Sequence, residues 1–124
     1  MRPPAADGAP EPETVVHVVA AVIVRADGRF LLAQRPSGKV YAGYWEFPGG
    51  KVEPGAAPVD ALGRELHEGV GIEVERAYPW ITRRYRYAHA TVDLDFFRVT
   101  GFRGEPHGRE GQAPPWQSSG TIGV

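Results

Sequence analysis

The sequence predicts a mixed α+β or α/β sandwich, with one helix packed on a sheet whose strands lie before and after it in the chain. Three observations carry this expectation. A β-branched run, Val15 to Val24, stands near the start. A single amphipathic stretch, Pro58 to Glu68, stands in the middle. Two alternating segments, Tyr78 to Tyr87 and Thr91 to Thr100, follow it. At 124 residues the chain has room for one domain.

Residues 1–14, rich in Pro, Ala and Glu, have no apolar periodicity and read as a flexible arm before a domain over 15–117. The run VVHVVAAVIV suits a strand buried on both faces. Asp27-Gly28 signals a hairpin turn, with Arg29 to Gln34 as the returning partner strand. Pro36 to Gly43 reads as loop. Trp45-Glu46-Phe47 is a short strand that Pro48-Gly49-Gly50 stops, and Lys51 to Ala57 continues as turn. Pro58 suits the first residue of a helix, where its missing N–H has no partner to lose. Val59, Leu62 and Leu66 then form the apolar stripe, and Gly71 is the stop. Beyond the two long strands, Gly101 to Gly111 reads as loop, Pro115-Trp116-Gln117 as a short strand, and 118–124 as a polar tail.

Composition excludes several functions. Fourteen Lys and Arg against fifteen Asp and Glu give a net charge of −1, which rules out a polycation built to coat nucleic acid or anionic membrane. With no cysteine there is no disulfide, thiolate metal site or cysteine nucleophile. The longest apolar stretch is far short of the roughly 20 residues of a membrane span. The N-terminus carries prolines and acids where a signal peptide would be apolar. The expectation is a small cytoplasmic domain, monomeric or weakly dimeric, with no membrane partner.

The chemistry is concentrated in Gly49-Gly50-Lys51-Val52-Glu53-Pro54-Gly55 and Arg64-Glu65-Leu66-His67-Glu68-Gly69-Val70-Gly71-Ile72. Glu65 and Glu68, three apart, project from one helix face opposite the Leu62/Leu66 stripe. Like charges there repel, and a hard divalent cation such as Mg²⁺, which prefers carboxylate and phosphate oxygens, relieves the conflict. The glycine-rich turn before them lets backbone groups approach the same ion or its phosphates. The plainer alternative is a solvated helix face with Arg64 paired to Asp60.

This segment resembles a Nudix box: glycine, five residues, glutamate, seven residues, then Arg-Glu-apolar-any-Glu-Glu-any-Gly-apolar. Gly50, Arg64, Glu65, Leu66, Glu68, Gly71 and Ile72 match it. The flanks, Trp45 to Lys51 and Gly104 to Gln112, resemble the MutT branch, and the likeness runs from about His17 to Trp116. The chain is also similar to the Nudix half of bacterial proteins that join a MutT-like domain to a thiamine-phosphate-synthase-like one. The resemblance implies an α/β/α sandwich and Mg²⁺-dependent hydrolysis, with Mn²⁺ as a substitute, of a nucleoside triphosphate: 8-oxo-dGTP to the monophosphate and pyrophosphate. It further implies that Glu65, Glu68, Glu110 and the Gly49 carbonyl hold metal, with Glu65 orienting or deprotonating water and Arg64 orienting the glutamates. Arg35 and Lys51 then contact the nucleotide, and Phe47 and Tyr87 line the base site.

Two box glutamates are replaced, by Ala56 and Gly69. Gly69 lies about 40° round the helix from Glu65, on the metal face, so one carboxylate is lost. Residues 117–124 match neither the family's base-reading asparagine nor its second helix. Two other readings compete: a catalytically weak nucleotide-binding module, and a hydrolase of another diphosphate compound such as ADP-ribose.

Arg83-Arg84-Tyr85-Arg86-Tyr87 mixes basic and aromatic residues as single-strand nucleic-acid surfaces do, but strand alternation and the net charge favour a solvated strand edge without a nucleic-acid partner. Asp93 and Asp95 read as solvent-facing. His17, His67, His89 and His107 lack metal-ligand spacing, and Trp45, Trp80 and Trp116 read as core or pocket wall.

Overall fold

The computed structural model describes residues 14–34, 45–88, 90–107 and 116–118. The apolar run forms β1 (Val15–Val22), and the glycines after Pro48 form β5 (Gly49–Lys51). The sequence then enters the helix α1 (Pro58–Val70) and two long strands, β6 (Glu73–Arg86) and β7 (Thr91–Arg103). These strands make one mixed sheet of order β5-β1-β7-β6. Four two-residue strands pair beside it: β2 (Phe30–Leu31) with β8 (Trp116–Gln117), and β3 (Ala33–Gln34) with β4 (Trp45–Glu46). Among the described residues α1 is the one α-helix, and no helix is long and apolar enough to cross a membrane.

β1 is central, which explains a composition that is apolar except for His17. It runs parallel to β7, from Val15 opposite Thr91 to Val22 opposite Arg98, and antiparallel to β5, from Val18 opposite Lys51 to Ala20 opposite Gly49. Val19, Ala21 and Ile23 join Leu62, Leu66, Val70, Ile72, Phe97 and Val99 in the core under the helix. Leu66 is fully buried. Leu66→Ala is expected to lower unfolding free energy by about 2–5 kcal/mol, read from the urea midpoint, because the cavity cannot fully collapse.

Three expectations about elements need correction. Arg29 to Gln34 does not return along β1. The two segments pair only past the end of β1, through the Val24–Phe30 bridge, the turn bond from Arg25 to Arg29 and a Leu31 N–H donated to the Ile23 carbonyl at 3.0 Å, because β5 and β7 already occupy both edges of β1. The adjacent Leu31 and Leu32 are both buried, which a regular strand cannot achieve with one covered face. Gly49 to Lys51 is strand rather than turn. A Cβ on Gly49 would collide with the Val19 carbonyl oxygen, so the absence of a side chain is what lets β5 lie flush against β1. Finally, β6 starts at Glu73 and β7 ends at Arg103, well beyond the predicted limits. There Arg103 pairs with Glu73 and Glu75, so cross-strand charge offsets the weak strand preference of those residues.

The turn at Asp27-Gly28 forms as expected, with the Arg25 N–H donating to the Arg29 carbonyl at 2.8 Å. Arg25 and the Arg29 N–H both donate to Asp27, and the Arg25 hydrogen bond is the main cause lowering its pKa to about 2. Since the folded value lies below the unfolded one, the carboxylate supports the turn above about pH 4 and loses that contribution as pH falls through about 2. A carbon-detected NMR titration of Asp27 is expected to give a midpoint near that value; a midpoint at the ordinary 3.8 would contradict the pairing.

The helix starts at Pro58 and stops at Gly71, as predicted. Gly71 has φ 77°, its N–H reaches the His67 carbonyl at 3.2 Å, the bond of an αL stop, and the Ile72 N–H reaches the Leu66 carbonyl at 3.4 Å. The next turn of chain comes back to this point: the His107 N–H donates to the Val70 carbonyl at 3.0 Å, and its imidazole lies where a Cβ on Gly71 would be. Val59 is not part of the apolar stripe. It is 45% exposed, and Ala61, Leu62, Leu66 and Val70 are the residues that face the core.

Candidate active site

Strand β5 and the middle of α1 pack side by side, and this contact brings the box residues together. A Cβ on Gly50 would overlap the Glu65 carboxylate, so the acid is seated against the bare backbone of the strand. Arg64 spans the same junction: one Nη donates to the Lys51 carbonyl at 3.3 Å and to Glu65 Oε1 at 3.2 Å. Arg64 therefore braces Glu65 rather than pairing with Asp60. The Glu65 side chain is about a quarter exposed, and Glu68, almost one turn further along α1, is exposed. Gly69 is also exposed, and a Cβ built there meets no atom within 4 Å.

On its other side β5 borders an apolar cavity of about 360 Å³. Val18, Ala20, Leu32, Phe47, Leu94 and Phe96 supply its apolar wall, and Gly49 and Gly50 form its boundary with the acid site. The Phe47 ring meets Phe30 and Phe96 edge-on, each at 6.2 Å, which fixes its orientation. Glu46 also lines this cavity and is the one charged residue among the described residues that do so. A volume of this size accepts a planar ring, and Gly50 of β5 is shared between the cavity lining and the seat of Glu65. A larger groove of about 540 Å³, beside Val59 and Trp80, touches neither β5 nor the helix acids.

Of the expected site residues, Gly49, Lys51, Arg64, Glu65 and Phe47 gather around β5, and Glu68 follows on the same helix. Tyr87 is elsewhere. It is 62% exposed on the turn after β6, where its N–H donates to the Ala90 carbonyl at 2.8 Å, and it does not line this cavity. Arg35 and Glu110 lie outside the described residues, as do His89 and residues 1–13 of the arm predicted over 1–14. Sequence reasoning missed Glu46 as a pocket residue. The available signal was an acid between two aromatics in a short strand, where one face must point inward.

Neither Asp93 nor Asp95 is a free surface acid. Arg84 grips Asp93 at 2.6 and 2.8 Å and holds its carboxyl below the usual carboxylate range. Asp95 accepts from Thr82 at 2.9 Å and lies 2.6 Å from His17 Nε2. Trp80 is 52% exposed, whereas Trp116 is half-buried beside Phe102.

The oxygen donors fit a hard cation. Mg²⁺ is typically held by one or two protein carboxylates with water and substrate phosphates completing its shell, and Glu65 and Glu68 supply two. Among the described residues no three acid, histidine or cysteine side chains enclose an ion without such help.

A mixed sheet with one covering helix, whose Glu65 is seated on a glycine strand, defines an α/β domain with an acid-bearing site beside an apolar cavity, and comparison with known proteins identifies its family. The family model described as NUDIX domain matches residues 19–120, and the chain belongs to the Nudix family. Within that family it is MutT-like. It is 38% identical over 102 residues to an 8-oxo-dGTP diphosphatase of Haemophilus influenzae, covering 82% of this chain and 75% of the relative. It is 41% identical over 104 residues to a CTP pyrophosphohydrolase of Escherichia coli, covering 84% and 76%. The crystal structure of a MutT Nudix hydrolase from Burkholderia pseudomallei superposes with a TM-score of 0.74 at 33% identity, covering 84% of this chain and 83% of that one.

Proposed function

We propose that the chain is a MutT-type pyrophosphohydrolase that converts 8-oxo-dGTP to 8-oxo-dGMP and pyrophosphate in the cytoplasm, keeping an oxidised precursor out of DNA. The observation that carries this reading is the Glu65 carboxylate seated on Gly50 and braced by Arg64, one strand away from an apolar cavity of nucleobase size.

The chain's own groups divide the work. Phe47 packs on the base, and Glu46, an acceptor, takes a hydrogen bond from a ring N–H or amino group. Lys51 and Arg35 attract the phosphates. Arg64 holds Glu65 in one rotamer, so that its carboxylate is ready to take a proton from the attacking water. Glu65, Glu68, Glu110 and the Gly49 carbonyl are the groups that would hold Mg²⁺ or Mn²⁺, which when bound would neutralise the polyphosphate and make water a stronger acid.

Gly69 gives one rival some weight: with a box carboxylate missing, the chain binds nucleotide and turns it over slowly. The similarity to a CTP pyrophosphohydrolase gives weight to another base, since Glu46 accepts equally from a cytosine amino group. The test is pyrophosphate and monophosphate release from 8-oxo-dGTP, dGTP, CTP and ADP-ribose with Mg²⁺, Mn²⁺ or EDTA, alongside calorimetric binding. The expected result is fastest release from 8-oxo-dGTP and none with EDTA. Tight binding with no turnover of any compound would leave a binding module. Preference for ADP-ribose would change the substrate class.

A further inference from the structure

The ribbon made by β6 and β7 has two unlike faces. Thr82 opposite Asp95 and Arg84 opposite Asp93 share the face that α1 partly covers, and both acids are engaged there. The opposite face pairs Tyr78 with Arg98, Ile81 with Phe96, Arg83 with Leu94 and Tyr85 with Val92. Residues directly opposite in an antiparallel pair project to the same side, so this outer face carries aromatics and arginines and no acid between Tyr78 and Tyr85.

Its exposure is not what packing alone would leave. Among the described residues, the four exposed aromatic side chains are Tyr78, Trp80, Tyr85 and Tyr87, all on β6 or the residue after it. Trp80 sits at the register shift between Pro79 and Ile81, and the Arg98 guanidinium lies over its ring at 5.8 Å. Arg83 donates only to its own neighbour's carbonyl, Thr82, in the bonds seen here. Of the arginines in 78–87, Arg84 and Arg86 belong to the other face, so the cations of this one are Arg83 and, from β7, Arg98.

We propose that the outer face of the β6–β7 ribbon binds single-stranded nucleic acid, its tyrosines stacking on bases and Arg83 and Arg98 meeting phosphates. This departs from the expectation of a solvated edge and does not rest on the hydrolase reading. Rings stack on any base, and alternation with arginine places cations beside them at backbone distance, which is the design of sequence-tolerant single-strand surfaces. From Tyr78 to Tyr85 the strand spans about 23 Å at about 3.3 Å per residue, comparable to sheets that stack two or three bases. The occupant uses the face rather than the edge, because Pro79 and the register shifts in β6 interrupt the row of groups that an added strand needs.

The test is fluorescence anisotropy of the full chain with a labelled twelve-residue oligothymidylate and the matching oligouridylate, at 20 and 200 mM salt, with duplex DNA and anionic vesicles as competitors. Single strands are expected to bind, more weakly at high salt, and to outcompete duplex. Tyr85→Ala is expected to weaken binding about tenfold while Tyr85→Phe retains it. Arg83→Ala is expected to lower the salt slope by about 0.7. This face is continuous, through Leu94 and Phe96, with the cavity under Phe47, but neither Arg83 nor Tyr85 lines that cavity or the acid site, so nucleotide hydrolysis is expected to be unchanged in both variants. Arg83→Ala alters an exposed side chain and remains informative if Tyr85→Ala melts early. Parental affinity in both variants, equal affinity for duplex, displacement by a nucleoside triphosphate, or binding to vesicles but not to oligonucleotides would each overturn the proposal.

Discussion

Gly69→Glu is expected to raise Mg²⁺-dependent pyrophosphate release by about a hundred- to a thousandfold, which corresponds to roughly 3–4 kcal/mol of transition-state stabilisation. Position 69 lies close to Glu65 around the helix and is exposed, and a side chain there meets open space, so the new carboxylate joins the acidic face without displacing anything. Replacing glycine inside the helix also favours folding by up to about 1 kcal/mol. Without metal, repulsion from Glu65 at i, i+4 offsets part of that gain. The variant's melting temperature is therefore expected to rise with added Mg²⁺ more steeply than the parent's. Equal turnover in the two proteins would show that this position does not limit catalysis. An Mg²⁺ response no larger than the parent's would show that the new acid does not reach the ion.

The opposite change is expected at Glu65. Glu65→Gln keeps the size of the side chain and an oxygen for Arg64, but removes the charge. Its kcat is expected to fall about a thousandfold with KM nearly unchanged, because the group acts on metal and water rather than on the base. The seat against Gly50 and the 3.2 Å contact with Arg64 make a folding defect a poor explanation for such a loss, and the urea midpoint checks this directly. Activity within tenfold of the parent would remove Glu65 from the chemistry.

Much of this was legible in the residues, for reasons that can be named. The helix limits follow from Pro58 and Gly71, whose backbone requirements are local and survive any tertiary context. The closeness of Gly50, Arg64 and Glu65 was implied by the box pattern, and the fold places them in contact. What sequence could not give was partnership at a distance. Nothing near Arg29 states that both edges of β1 are taken by β5 and β7. The glycines at 49 and 50 signal a turn by composition, and only the approach of Val19 and Glu65 shows that they are there for clearance. Glu73 and Glu75 are poor strand formers until Arg103 lies across from them. Tyr87 was placed at the base site only through the resemblance, and it lies instead on the turn after β6, 62% exposed and outside the lining of the cavity under Phe47.

The end of the helix has a consequence for how this domain tolerates change. Residue 71 is both the point where the chain reverses hand and the floor on which the His107 ring rests. A methyl group there would strain the backbone and, in the same step, push aside the strand exit that is tied to Val70. Damage at that single position is therefore felt at two places more than thirty residues apart in the chain, and repair at either one alone would restore only half of the joint.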